Sequence, residues 1–204
     1  MEITWLGHAS FRLTAGDYSV VLDPYTGVPG YRALHVSADA VYCSHEHGDH
    51  SYRDGVVLPL RERESPFTVT EIASFHDDRQ GALRGSNIIR MFTAEGLRAV
   101  HLGDLGHPLS EEQAAPLMSC DALMIPVGGF FTIGPELAWE TVEKLRPRVV
   151  IPMHYRKGKY GYPIIGTLPP FLSRFPAEEV VTYAGNTLTL EADTPRQVAV
   201  LSCE

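Results

Sequence analysis

Residues 44–50 read Ser44-His45-Glu46-His47-Gly48-Asp49-His50, three imidazoles and an aspartate packed behind the short apolar run 40–43. Imidazole and carboxylate are borderline ligands that suit zinc, manganese or iron and leave the ion a strong Lewis acid. A tight loop with this spacing can aim His45 and His47 at one ion while Asp49 and His50 face a second. A solvated polar loop has no need of such a pattern, and only nine histidines are present in 204 residues.

Outward from this loop, the same device repeats: a strand-like run that ends on a metal-ligand residue. The run 67–75 (FTVTEIASF) stops at His76, the run 97–102 leads into Gly103-Asp104, and 149–153 delivers His154. Side chains at strand ends, on loops above a rigid sheet, are where a fold gathers a site. Upstream, 3–6, 11–14 and 18–22 alternate as strands, the last two joined at Ala15-Gly16-Asp17. Ala94-Glu95-Gly96 marks a hairpin between 87–92 and 97–102. Ser110 with Gln113 is a capping box opening a helix to about residue 118.

The run 121–127 reads as a buried strand ending in Gly128-Gly129, with Phe130 and Phe131 bordering the cleft. A helix over 135–145 follows: Pro135 suits its first turn, Ala138, Val142 and Leu145 share a face, and Pro147 stops it. Residues 156–168 read as a mobile loop, 170–175 as a short helix, and strands near 179–183, 187–191 and 197–201 close the chain. No repeat or linker divides it, so residues 1–204 are expected to form a single domain.

Composition narrows the function class. Apolar residues make up 44% and charged residues 21%, values of an ordinary folded domain rather than a disordered chain. A chain of this size buries about 70% of its unfolded surface, enough for a sandwich core without staples. The net charge of −8 argues against coating nucleic acid through a basic face. It is compatible with a small anionic substrate, because a metal reverses the sign locally. Cys43, Cys120 and Cys203 are odd in number and lack paired spacing, so a disulfide framework is not expected and they read as core filler. With no signal-peptide pattern at the start and no apolar run near the ~20 residues of a membrane span, the expected location is cytoplasmic, without membrane contact.

Three further segments complete a pattern: Trp5-Leu6-Gly7-His8-Ala9-Ser10-Phe11, His101-Leu102-Gly103-Asp104-Leu105-Gly106-His107 and Ile151-Pro152-Met153-His154-Tyr155. Together with His-x-His-x-Asp-His at 45–50, they resemble the metallo-β-lactamase superfamily. The resemblance is to its small metal-dependent hydrolases, the branch with L-ascorbate-6-phosphate lactonase and, more distantly, N-acyl-phosphatidylethanolamine phospholipase D. It covers residues 1–175 and implies an α+β fold, the four-layer αββα sandwich.

Position by position, the resemblance puts His45, His47 and His76 on one divalent transition metal. It puts Asp49, His50 and His154 on a second, with Asp104 bridging the two. A shared carboxylate offsets the repulsion between cations about 3.5–4 Å apart. Zinc is the first expectation, with manganese or iron as alternatives. The implied enzyme is a binuclear hydrolase whose metal-bridging hydroxide attacks a small ester, lactone or phosphodiester. Asp49 is its catalytic residue, orienting the water and taking its proton.

His8 and Asp23 are expected to orient ligand imidazoles, and His107 to reach substrate or hold a loop. His35 and His101 read as structural. Arg84, Asn87, Tyr155, Arg156 and Lys157 adjoin predicted ligands, as contacts to an anionic substrate or as solvated surface. The expected partner is a small molecule; the short segments leave little pocket wall, which a homo-oligomer could supply. The alternatives are an RNA-processing nuclease of the same superfamily, disfavoured by charge and short segments, and a mononuclear iron dioxygenase, which keeps fewer than these seven ligands.

Overall fold

The computed structural model describes residues 1–61 and 63–202. The chain opens with β1 (Glu2–Gly7), β2 (Ser10–Ala15) and β3 (Tyr18–Leu22), then β4 (Val36–Ser37), β5 (Ala40–Tyr42) and β6 (Val56–Val57). It continues through β7 (Thr68–Phe75), β8 (Ser86–Ala94), β9 (Leu97–His101), α1 (Glu111–Ala114), β10 (Ala122–Pro126), α2 (Pro135–Leu145) and β11 (Val149–Met153). The last elements are α3 (Pro169–Leu172), β12 (Val180–Thr182), β13 (Thr187–Thr189) and β14 (Gln197–Val200).

Among the described residues, the strands form a five-stranded sheet ordered β13-β1-β2-β3-β5 and a seven-stranded sheet ordered β12-β14-β11-β10-β9-β8-β7. Their apolar faces share one core, in which Ile3, Phe11 and Leu13 of the first sheet join Ile89, Phe92 and Leu123 of the second. The period of two is visible in β3, where Tyr18, Val20 and Leu22 enter that core while Val21 faces the opposite side.

The outer layers differ. Over the seven-stranded sheet, α2 buries Ala138, Thr141, Val142 and Leu145, the expected face with Thr141 added. Burying Val142 and Leu145 contributes about 1.5–3 kcal/mol each. Strands β10 and β11 are covered on both faces and have no exposed position. Over the five-stranded sheet, Tyr25, Val28, Leu34, Ala38 and Val56 pack on Val21 in a second cluster. This layer is a loop with one 3-10 turn, Arg53–Gly55, and the β4–β6 ribbon that sequence periodicity missed. Pro24, Pro29 and the left-handed Gly27 and Gly30 (φ 72° and 82°) keep it from being helical.

Two local expectations need adjustment. The capping box at Ser110 and Gln113 forms with both bonds, but α1 ends at Ala114 and tightens into a 3-10 turn, because Pro116 has no N–H for an α turn. Residues 156–168 are tied back: Arg156 N–H donates to Gly166 O at 2.9 Å and Gly166 N–H to Gly128 O at 2.6 Å. Cys43 and Cys120 are buried and free, as expected of core filler, whereas Cys203 lies outside the described residues. No helix among the described residues is long and apolar enough to cross a membrane.

Strand direction places the site. In the first sheet, β1 and β3 both run antiparallel to β2, and β5 is parallel to β3, so the three end at one edge. In the second, β9, β10 and β11 are parallel, and β7 regains that direction through antiparallel β8. Each candidate ligand follows the C-terminal end of one of these co-directional strands.

Candidate metal centre

The loop after β5 supplies His45, His47, Asp49 and His50; β7 supplies His76, β9 supplies Asp104 and β11 supplies His154. The seven converge. Asp104 Oδ2 lies 3.2 Å from His50 Nε2, 3.2 Å from His76 Nε2 and 3.4 Å from His154 Nε2. His45, His47 and His76 form one group whose ligand atoms lie within 4.8 Å of each other; Asp49, His50, His154 and His8 form another. His47 is exposed at the mouth, whereas His50 and His154 have no exposed surface.

A network fixes which imidazole nitrogen faces inward. Ser44 Oγ donates to Asp23 Oδ2 at 2.6 Å, so its lone pair accepts the Nδ1–H of His45 at 2.9 Å. Asp23 Oδ2 also accepts the Nδ1–H of His50 at 2.8 Å. Both rings therefore present bare Nε2 lone pairs to the centre. Asp23 thus contacts a candidate ligand imidazole, with Ser44 N–H at 2.6 Å holding its other oxygen. Burial would raise the Asp23 carboxyl, but the His50 hydrogen bond and the charges of His101 and His50 hold it down to about 2.

The residues fit a divalent metal ion. His45 Nε2, His50 Nε2, His154 Nε2 and Asp104 Oδ1 are buried with no hydrogen-bond partner among the described residues. Unpaired buried polar atoms are rare, and here they share one small volume. Burial, then neighbouring His50, lowers His45 to about 4; burial also dominates in lowering His154 to about 3. Both rings are neutral at pH 7, the form that binds metal. Burial opposes positive charge on His50, but Asp104 and Asp23 outweigh it and raise His50 well above an ordinary imidazole, so its surroundings favour a positive charge, as a cation site does.

Backbone geometry is strained around this volume. His8, Asp23 and His154 all sit in left-handed conformation, at φ 52°, 45° and 53°. Such residues cost about 1–3 kcal/mol each and persist where surrounding structure demands them. Gly103, at φ 56°, brings the chain against Ser44 and Asn87, whose Oδ1 accepts the Asp104 N–H at 3.0 Å.

Other sequence readings are redistributed. His8 enters the cluster, but neither ring nitrogen has a hydrogen-bond partner among the described residues, so it orients no ligand imidazole through such a bond. His107 stays outside: its Nε2 accepts the Phe75 N–H at 3.2 Å, its Nδ1 contacts Pro108 O at 2.8 Å, and it lines a separate hollow. It holds a loop. His101 is structural, contacting Ala9 O and accepting Gly103 N–H. Asn87 is buried and ties Asp104, Ser74 and Leu102 together instead of meeting substrate. Tyr155 is buried and stacks on Trp5, while Arg156 and Lys157 line a different hollow.

Above the ligands lies a cleft of about 330 Å³ walled by Leu83, Arg84, Phe131 and Tyr162. Arg84 rides on a loop gathered by Asp77, whose carboxylate accepts N–H bonds from Arg79, Gly81, Leu83 and Arg84. Its guanidinium carbon stands 5.8 Å from the Phe131 ring centroid. Tyr162 went unread in the sequence, where it is one aromatic in a Gly- and Lys-rich stretch. Burial, then the Asp49 charge, pushes its phenol up to about 12, so it stays protonated and able to donate.

Comparison with known proteins identifies the family. The β-lactamase superfamily domain matches residues 2–154. A UPF0173 metal-dependent hydrolase from Archaeoglobus fulgidus is 29% identical, covering 76% of this chain and 83% of the relative. Another, from Pelotomaculum thermopropionicum, is 31% identical with coverages of 76% and 84%. A crystal structure from Thermotoga maritima, of a candidate zinc-dependent hydrolase of the metallo-β-lactamase superfamily, superposes with a TM-score of 0.77. It is 35% identical and covers 98% of this chain and 97% of that one. With the sandwich, the family match and these relatives in agreement, the chain belongs to the metallo-β-lactamase superfamily and, within it, to the UPF0173 metal-dependent hydrolases.

Proposed function

We propose that this protein is a binuclear hydrolase of a small ester, lactone or phosphodiester. The observation that carries the reading is the ring of inward-facing, unpartnered His and Asp atoms around Asp104 Oδ2. His45, His47 and His76 would hold one ion, Asp49, His50 and His154 the other, and Asp104 would be shared. Two divalent transition metals, zinc first and manganese or iron as alternatives, supply Lewis acidity and a hydroxide nucleophile at neutral pH. Asp49, partly exposed at the cleft floor, orients the attacking water and accepts its proton. Tyr162, protonated beside Asp49, donates a hydrogen bond to the substrate oxygen that gains charge. Arg84 draws a small anionic substrate to the cleft mouth.

Elemental analysis of the purified protein beside Asp104→Ala tests this, together with a hydrolysis screen over lactones, esters and phosphodiesters. The expected result is near two transition metals per chain, fewer in the variant, and hydrolysis only in the wild type. Full metal content and activity in Asp104→Ala would overturn the assignment.

A further inference from the structure

His8 occupies a position that its turn does not require. It lies between β1 and β2 where their register shifts, with φ 52°, a conformation glycine or asparagine adopts at less cost. Two bonds hold it there: its carbonyl accepts Trp5 Nε1–H at 3.0 Å and the N–H of His154 at 3.2 Å. A candidate ligand thus shares a backbone bond with His8, and a strained histidine is locked where a smaller residue would serve the turn. The ring explains the choice. It is buried beneath the cleft with its centroid 4.2 Å from that of His154 and 5.4 Å from that of His50.

The distances distinguish two roles. His8 Nε2 lies 3.5 Å from Asp49 Oδ2, longer than the usual N–H···O bond of about 2.7–3.2 Å, and neither ring nitrogen has a hydrogen-bond partner among the described residues. Two adjacent ligands of one ion, each about 2.1 Å from it, stand roughly 3.0–3.6 Å apart at angles of about 90–120°. The contacts between expected co-ligands cluster about that range: His50 to Asp49 at 3.8 Å, His50 to Asp104 at 3.2 Å and His154 to Asp104 at 3.4 Å. His8 to Asp49 belongs with these. We propose that His8 Nε2 is itself a ligand of the second metal, giving that ion five protein donors with Asp49, His50, His154 and the shared Asp104.

The proposal rests on the binuclear reading and sharpens it. A site with five protein donors is closed, so the open position lies on the side of His45, His76 and the exposed His47. The second ion is then the tightly held one and the first the exchangeable one.

Zinc titration of the metal-free, full-length protein tests this, with His8→Asn as the variant because asparagine tolerates the left-handed backbone. Wild type should bind two zinc ions. The variant should lose affinity for the tighter ion by about 100-fold or more, beyond the 10–100-fold expected of a residue acting through a ligand. Thermal unfolding of the metal-free forms should give matching midpoints, showing that the variant folds. Independently of any variant, the His8 Nε2 signal in ¹⁵N-histidine spectra of the wild type should shift to a metal-bound position on zinc loading. Two zinc ions bound by His8→Asn with wild-type affinity, or an unmoved His8 Nε2 signal in two-zinc wild type, would overturn the ligand role and leave the binuclear reading standing. Fewer than two ions in the wild type would overturn both.

Discussion

Asp23 Oδ2 stands 2.8 Å from His50 Nδ1, and through this contact a residue at the end of β3 sets the tautomer of a histidine at the heart of the cluster. The carboxylate accepts the Nδ1 proton, so the Nε2 lone pair is free to face Asp104. In Asp23→Asn, an amide N–H turned toward His50 would demand an acceptor there, forcing the ring to carry its proton on Nε2. We expect metal affinity to fall about 10–100-fold, read by competition against a chromophoric chelator. Unchanged affinity would show that His50 is not held by Asp23.

Gly103→Ala addresses the approach of Asp104. A Cβ at this left-handed position would collide with Asn87 Oδ1 and come within 2.6 Å of the Ser44 Cβ. The side chains that orient His45 and hold the Asp104 N–H would have to move together. Overpacking and the strained backbone should destabilise the fold by about 2–4 kcal/mol, measured by urea unfolding of the metal-free protein, with loss of metal content in parallel. A neutral substitution would mean that the loop relaxes freely and does not preset Asp104.

Much of this arrangement is legible in the sequence because its signals are local. The hexapeptide from His45 to His50, the strands ending at His76, Asp104 and His154, and the apolar face of α2 each depend on spacing within a short window. What escaped depends on distant pairings. Ser44 reads as an ordinary polar residue until folding brings Asp23 against it, and Asn87 as a surface amide until β8 passes beneath Asp104. His107 stays open in the sequence for the converse reason: three residues from Asp104, it turns back to the end of β7 and takes the loop-holding alternative. The β4–β6 ribbon is two residues per strand, too short for any periodicity. Tyr162 reaches the cleft from a segment tied back by Gly166 N–H to Gly128 O and by Gly161 N–H to Pro29 O.

Asp77 gathers four backbone N–H groups, of Arg79, Gly81, Leu83 and Arg84, at 2.8–3.0 Å. Asparagine is nearly the same size but offers one acceptor oxygen, so in Asp77→Asn part of this set would face an amide N–H. The 78–85 loop should loosen, with faster hydrogen exchange at those four amides while the cluster keeps its metal. Exchange rates equal to wild type would show that the loop is held by other contacts.

Arg84 offers the sharpest test of what the cleft selects. Its guanidinium is half-exposed at the mouth, beside Phe131, above ligands whose charge the bound cations would largely neutralise. A hydrogen bond to a charged group contributes about 1.5–3 kcal/mol, so Arg84→Ala should raise KM for an anionic ester about 10–100-fold. A neutral ester of the same shape should be nearly unaffected, and kcat for both should change little, since the interaction is made equally in ground and transition states. Steady-state kinetics on such a matched pair separates the cases. Equal losses on both esters would assign Arg84 to holding the cleft wall, and no loss on either would remove it from recognition.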